Sequence, residues 1–271
     1  MLEPSSSARA NRMSRLFARG GHALIVAWAH GPLLGPIDGM QRSRMEELAE
    51  AIAPADGILA TPSMMPALAP VLSRRDRPSL FMLQHWQSVS RPASLLGYEE
   101  GATTQLCSVE DAARWGADGV MTYLYIGWKD PERERREIAY VEEVSRRCRD
   151  LGLLHLIESR AVRDENDERG LARADLVRYH TRLACELGAD LVKTKWTGAG
   201  EFAGVLDGCT VPVLLAGGAR TGSLEDALER ARETMAAGAH GLVWGRNIYQ
   251  ADDPADALAR VLDVVHGANR G

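Results

Sequence analysis

The residues with the clearest chemical potential are Lys193 and Lys195, which stand two residues apart in the apolar stretch from 191 to 196. The chain has only three lysines among its 32 Lys and Arg residues, so its other basic side chains are arginines. A buried lysine, unlike an arginine, can lose its proton and attack a carbonyl carbon. In a strand both side chains would lie on one face, where desolvation and like charge lower the pKa of a lysine. The pair therefore predicts Schiff-base chemistry, whereas the plainer alternative is that both lysines bind a phosphate or pair with carboxylates.

Two glycine-containing turns later in the chain are typical of a phosphate site. Gly217 and Gly218 follow the predicted seventh strand, and Gly245 and Arg246 follow the eighth. Adjacent glycines let backbone N–H groups approach an anion, and an arginine adds a charge-assisted hydrogen bond. Loops in these two places form the recurring phosphate site of TIM barrels. We therefore expect a phosphorylated substrate, although two ordinary turns would give the same pattern.

Polar residues follow two other predicted strands. His30 follows the first strand, and Glu158 and Arg160 follow the fifth. His30 is a candidate acid/base group, although a lone histidine is more often structural. Arg160 is a candidate for holding an anionic substrate group, and could equally pair with Glu158.

A repeating scaffold must position these residues. Short apolar runs predict strands at 23–28, 57–60, 80–83, 119–126, 153–157, 191–196, 211–216 and 241–244. Helical patterns follow them at 41–53, 63–73, 108–115, 131–151, 171–187, 201–206, 223–237 and 254–265, and a long loop covers 84–106. Eight βα units of this total length predict a single (β/α)8 TIM barrel over 21–271, after an N-terminal arm over 1–20 that includes a short helix near 13–18. A doubly wound open sheet is the rival fold, disfavoured because no GxGxxG follows the first strand.

Composition narrows the class of protein. The net charge of -5 and the lack of a basic run argue against nucleic-acid binding. No apolar stretch is long enough for a membrane span, and the N-terminus lacks the apolar core of a signal peptide. The four cysteines, Cys107, Cys148, Cys185 and Cys209, form no CxxC pair. We therefore expect a cytoplasmic protein with reduced thiols, and we predict neither a metal nor a cofactor.

Three phrases, taken together, resemble the class I aldolases of the archaeal fructose-bisphosphate aldolase and deoxyribose-phosphate aldolase type. They are the Lys193-Thr194-Lys195 stretch, the strand that ends in Gly217-Gly218, and Gly245-Arg246-Asn247. The same group includes the 2-amino-3,7-dideoxy-hept-6-ulosonate synthases and the phosphorylated autoinducer-2 thiolase. The resemblance covers nearly the whole chain and is strongest from about residue 185 onward.

The resemblance implies a Schiff-base TIM barrel, commonly assembled as a homo-oligomer. It matches Lys193 to the Schiff-base lysine, Gly217, Gly218, Gly245 and Arg246 to the phosphate-binding loops, and His30 to the family's His after the first strand. Two positions depart from it. Ala29 stands where the family has a catalytic Asp, and Arg160 where its aldolases have a Tyr. An alanine cannot move a proton, and an arginine is not a useful acid near neutral pH.

Three interpretations follow. The protein is a carbon–carbon lyase or synthase whose proton transfer has moved to His30, Asp38, Tyr125 or a water. Alternatively, its Schiff base leads to a different outcome, such as dehydration, cyclisation or condensation of a phosphorylated ketone. In the third, it is a non-catalytic relative that binds a phosphorylated sugar. Retention of lysine in a chain so poor in lysine argues against the third.

Overall fold

The computed structural model describes residues 4–163 and 171–267. Its strands are β1 (Ala23–Trp28), β2 (Gly57–Ala60), β3 (Ser79–Leu83), β4 (His85–Gln87), β5 (Thr103–Gln105), β6 (Gly119–Ile126), β7 (Leu154–Ala161), β8 (Leu191–Thr194), β9 (Val213–Ala216) and β10 (Gly241–Trp244). The α-helices are α1 (Pro4–Leu16), α2 (Gly31–Leu34), α3 (Met45–Ile52), α4 (Met65–Leu72), α5 (Val109–Arg114), α6 (Pro131–Leu151), α7 (Ala174–Glu186), α8 (Ala199–Asp207), α9 (Leu224–Ala236), α10 (Arg246–Tyr249) and α11 (Pro254–Gly267).

Eight parallel strands close into a barrel in the order β1-β10-β9-β8-β7-β6-β3-β2. The predicted TIM barrel is therefore confirmed, and the rival open sheet is wrong. β4 and β5 form a separate antiparallel hairpin inside the segment that the sequence analysis assigned to a long loop. None of the described helices is long and apolar enough to cross a membrane.

Alternation along the strands separates the barrel interior from the layer beneath the helices. In β8, Leu191 packs in the interior with Leu156 and Leu214. The next residue, Val192, packs on the outer side with Val141 and Ala184. Since side chains alternate along a strand, Lys193 returns to the interior, as the sequence predicted.

Three aspartates, Asp56, Asp118 and Asp190, lie at the N-terminal end of the barrel, each directly before a strand. We call them the basal aspartates. Their carboxylates accept hydrogen bonds of 2.8–2.9 Å from backbone N–H groups of adjacent strands: Leu24 to Asp56, Leu80 to Asp118, and His155 to Asp190. Arginines of the N-terminal segment pair with the same carboxylates: Arg19 with Asp56, Arg15 with Asp118, and Arg9 with Asp190.

The N-terminal segment is more ordered than the sequence analysis expected. Instead of a short helix near 13–18, α1 begins at Pro4 and ends at Leu16. Leu16 is fully buried and packs beneath the barrel beside Ile25. The domain boundary at residue 20 stays a prediction.

β7 is longer, and β8 shorter, than the sequence predicted. β7 pairs with β6 along eight residues, so that Glu158 and Arg160 lie within the strand rather than in a loop after it. β8 ends at Thr194, which leaves Lys195 just beyond the strand. Glu158 and Lys193 are register partners on these adjacent strands. Their side chains consequently share the interior face.

Candidate active site

A cavity of about 440 Å³ opens at the C-terminal end of the barrel strands. Eight of the predicted site residues line it: His30, Arg160, Lys193, Lys195, Gly217, Gly218, Gly245 and Arg246. They come from the ends of β1, β7, β8, β9 and β10 and the turns that follow, which is where TIM barrels carry their chemistry.

Lys193 lines this cavity with only 8% of its surface exposed. Its Nζ donates a 2.6 Å hydrogen bond to Oε2 of Glu158. Burial lowers the pKa of Lys193, the Glu158 carboxylate opposes that shift, and the charges of Arg160 and Arg246 add to it. The lysine is thus both of the things that the sequence allowed: it is paired with a carboxylate, and it is desolvated.

Glu158 is the partner that the sequence analysis considered only as a counter-ion for Arg160. Its side chain is 3% exposed, and Oε1 accepts bonds from Nε of Arg160 at 2.8 Å and from Nη2 at 2.7 Å. Burial alone would raise the pKa of Glu158, but Lys193 and Arg160 outweigh burial and lower that pKa to about 2. While Lys193 and Arg160 both carry their charges, the carboxylate is therefore ionised near neutral pH.

The expectation that Lys195 lowers the pKa of Lys193 is not supported. The cations with the largest effects on the pKa of Lys193 are Arg160 and Arg246. Because β8 ends at Thr194, Lys195 lies outside the strand and half-buried, although it lines the same cavity. Its charge instead lowers the pKa of His180, which is on α7.

The two predicted glycine turns adjoin each other above β9 and β10. Gly218 has φ of 69°, a conformation that favours glycine, and its carbonyl accepts a 2.6 Å bond from Nη2 of Arg246. A Cβ at Gly245 would stand 2.2 Å from the carbonyl oxygen of Ala27, so no larger residue fits there. Asn247 holds the first turn in place by accepting a 2.9 Å bond from the backbone N–H of Thr221. The buried Nε of Arg246 has no hydrogen-bond partner in the part of the chain that the structure describes.

His30 lines the cavity, and its imidazole ring contacts Tyr249. Its Nδ1 is 2.9 Å from the hydroxyl of Tyr249. Burial, followed by the charges of Arg246 and Lys193, lowers the pKa of His30 to about 3. The imidazole is consequently neutral near pH 7, and its predicted acid/base role stays a prediction.

Two of the weaker candidates lie outside the cavity lining. Asp38 is exposed and accepts a 3.1 Å bond from Gln41. Tyr125 is 1% exposed and stacks on Tyr123, and it is Tyr123 that lines the cavity.

Tyr123 is thus a cavity residue that the sequence analysis did not single out, and Glu158 is one that it named only as a partner for Arg160. Alternation from Met121, a buried interior residue of β6, would have placed Tyr123 on the interior face. Among residues 4–163 and 171–267, no group of three or more His, Cys, Asp or Glu side chains converges as a metal site.

Comparisons with known proteins agree with this geometry. A family model described as DeoC/LacD family aldolase matches residues 23–251. An uncharacterized aldolase of Saccharolobus solfataricus is 34% identical over 94% of this chain and 93% of its own length. The 2-amino-3,7-dideoxy-D-threo-hept-6-ulosonate synthase of Halobacterium salinarum is 30% identical over 98% of this chain and 93% of its own. A solved archaeal fructose-1,6-bisphosphate aldolase, whose catalytic Lys is covalently bound to the carbinolamine intermediate of its substrate, has a TM-score of 0.79 at 26% identity, covering 96% of this chain and 100% of that one.

Proposed function

The chain belongs to the DeoC/LacD family of aldolases, and from that premise we propose that Lys193 captures the carbonyl group of a phosphorylated ketone. The observation that carries this proposal is the position of the Lys193 amine. The amine is desolvated, and Lys193 lines the same cavity as the two glycine turns.

The chemistry begins with the amine. Neutral Nζ adds to the carbonyl carbon, giving a carbinolamine that loses water to form an iminium ion. The iminium withdraws electrons from the adjacent carbon, which stabilises the enamine formed when a carbon–carbon bond breaks or a proton leaves. This electron sink serves both cleavage and synthesis.

The phosphate is proposed to bind between Gly217, Gly218 and Gly245, with Arg246 beside it. The buried Nε of Arg246 is a donor for which the described residues offer no acceptor. A phosphate oxygen would supply that acceptor through a charge-assisted bond. Such binding away from the reacting carbon would hold the carbonyl near Lys193.

A second outcome of the same Schiff base is dehydration, cyclisation or condensation of the phosphorylated ketone. The observation that favours it is the substitution of both expected proton-transfer residues, by Ala29 and Arg160. Ala29 is buried and packs in the interior apolar cluster, where it offers no proton. Product analysis separates the two outcomes, because only the aldolase reaction makes or breaks a carbon–carbon bond. A non-catalytic, phosphosugar-binding role would leave the Lys193–Glu158 pair without a purpose.

We also propose that the enzyme works in the cytoplasm as a homo-oligomer. The support is the family resemblance for assembly and the unpaired state of all four cysteines for a reducing compartment. Light scattering during gel filtration would report the assembly state.

The proposal is tested by incubating the protein with a panel of phosphorylated ketones, beginning with dihydroxyacetone phosphate, and reducing with borohydride. We expect intact mass spectrometry to show one covalent adduct per chain in the wild type and in Lys195→Met. Absence of an adduct with every member of the panel, or an adduct that persists in Lys193→Met, would refute the proposal.

A further inference from the structure

We propose that Glu158 is the proton-transfer residue of this active site and that Arg160 positions it. This inference rests on the proposed capture of the ketone by Lys193. It assigns to the fifth barrel strand, β7, the proton chemistry that Ala29 cannot perform.

The two carboxylate oxygens of Glu158 are in different surroundings. Oε1 accepts both Arg160 bonds, at 2.8 and 2.7 Å, and is fully occupied. Among residues 4–163 and 171–267, the one donor bonded to Oε2 is Nζ of Lys193, at 2.6 Å. Anything covalently attached to Nζ therefore begins within reach of Oε2, since a proton-transfer group must lie about 2.6–3.2 Å from the proton's donor or acceptor.

The other groups around the cavity are poorer candidates. Among the described residues that line it, Glu158 is the only carboxylate. Burial raises the pKa of Tyr123 well above its ordinary value, so that its hydroxyl keeps its proton. His30 has its Nδ1 at the Tyr249 hydroxyl, whereas Oε2 of Glu158 is the acceptor bonded to Nζ of Lys193.

The Glu158 carboxylate can carry out each acid/base step of the reaction in turn. First, the Lys193 ammonium gives a proton to Oε2, leaving a neutral amine and a neutral acid. The amine then adds to the ketone carbon, the C=O pair goes to oxygen, and a proton moves from nitrogen to that oxygen to give the carbinolamine. The Glu158 acid protonates the carbinolamine hydroxyl, which leaves as water while the nitrogen lone pair forms the C=N bond, and the carboxylate now faces the iminium. Oε2 then removes a proton from the adjacent carbon, and the C–H electron pair forms the enamine double bond while the C=N pair returns to nitrogen. In cleavage, Oε2 instead takes the proton of the β-hydroxyl group, and the O–H electron pair forms the carbonyl of the released fragment. The pair of the broken carbon–carbon bond forms the enamine double bond, and the C=N pair returns to nitrogen.

Arg160 contributes geometry and charge rather than a proton. Its guanidinium holds Oε1 through two donors, which fixes the carboxylate plane and turns Oε2 toward Lys193. An arginine stays protonated at any working pH, so it cannot serve as the acid. Arg160 is accordingly a positioning residue that acts through Glu158.

The test separates capture from proton transfer. Dihydroxyacetone phosphate is the probe, borohydride trapping reports capture, and NMR in deuterated water reports exchange of its α-proton. Glu158→Gln preserves shape but cannot accept the proton, and Glu158→Asp keeps the carboxylate on a shorter side chain. The matched control is Glu137→Gln. Glu137 is also a buried glutamate, and its carboxylate accepts two hydrogen bonds, from the Thr103 hydroxyl at 2.7 Å and from the Tyr125 backbone N–H at 3.2 Å. Unlike Glu158, it does not line the cavity.

We expect Glu158→Gln to form the trapped adduct more slowly but to the wild-type extent on long incubation, since water can carry the protons of iminium formation. Its α-proton exchange should fall by about 10²- to 10⁴-fold, the usual contribution of a general acid/base group. Glu158→Asp should recover part of the exchange, and Glu137→Gln should exchange like the wild type. Arg160→Gln should slow exchange without preventing capture, and Arg160→Lys should restore part of it. Normal exchange in a folded Glu158→Gln protein that still forms the adduct would overturn the Glu158 role alone. Failure of the wild type itself to form any adduct would overturn capture and proton transfer together.

Discussion

The two ends of the barrel use the same kind of interaction for different purposes. At the N-terminal end, each basal aspartate accepts a backbone N–H bond from an adjacent strand and pairs with arginine. At the C-terminal end, Glu158 pairs with Arg160 and Lys193 and accepts no backbone bond among those observed. Both ends therefore carry nearly buried carboxylates with cationic partners.

The difference lies in the partner and in the space around it. The basal aspartates fasten strands to one another, and their arginines cannot lose a proton. Glu158 instead faces a cavity and holds a lysine, the one basic side chain that becomes a nucleophile when desolvated. An ion pair thus stabilises the fold at one end and, in our account, holds a reactive amine at the other.

The largest expected effect is at Lys193. Lys193→Met should abolish adduct formation and reduce turnover by more than about 10⁴-fold, since the other lysine of the cavity, Lys195, is only half-buried and keeps a less reactive amine. Thermal unfolding should show that the variant is still folded. Steady-state kinetics would contradict the account if Lys193→Met retained more than about a hundredth of the wild-type turnover rate.

At the basal aspartates we expect substitutions to lower the stability of the fold rather than the turnover rate. Asp118 binds the Leu80 N–H at 2.9 Å and Arg77 at 2.9 Å, and its side chain is 4% exposed. Asp118→Ala should lower the free energy of unfolding by about 3–5 kcal/mol, because it leaves the charges and donors of a buried pair uncompensated. Urea denaturation would measure this, and Asp118→Asn, which keeps an acceptor, should lose less. A folded Asp118→Ala protein with severely reduced turnover would show that the two ends are not separable.

A smaller effect is expected at the glycine turns. Arg246→Met should raise KM for a phosphorylated ketone by about 10- to 100-fold, equivalent to one charge-assisted hydrogen bond. The same substitution should leave KM for the unphosphorylated ketone nearly unchanged. An equal increase in KM for both ketones would mean that the phosphate group binds elsewhere.

The smallest expected effects concern the pH at which Lys193 is trapped. The Glu158 carboxylate raises the pKa of Lys193, so Glu158→Gln should lower that pKa and move half-maximal trapping to lower pH. Lys195→Met should leave the trapping pH unchanged, because Arg160 and Arg246 are the cations with the largest effects on the pKa of Lys193. A downward shift of the trapping pH in Glu158→Gln without loss of α-proton exchange would reduce Glu158 to a simple counter-ion.

Much of the fold was readable in the sequence because it depends on local patterns. The apolar runs of the eight barrel strands gave the topology, and alternation in 191–194 gave the inward direction of Lys193. The extension of β7 was missed because its rim half is polar, and its strand conformation comes from pairing with β6. The contact between Glu158 and Lys193 joins residues 35 positions apart and depends on inter-strand register, which no local pattern specifies.

The account's central claim is that Lys193 forms the Schiff base, and the location of the reduced adduct tests it most directly. The wild-type protein is reduced with borohydride in the presence of dihydroxyacetone phosphate, digested, and mapped by tandem mass spectrometry. Our account predicts that the added mass lies on Lys193 and on no other residue. Mass found on Lys195, or on both lysines equally, would contradict it.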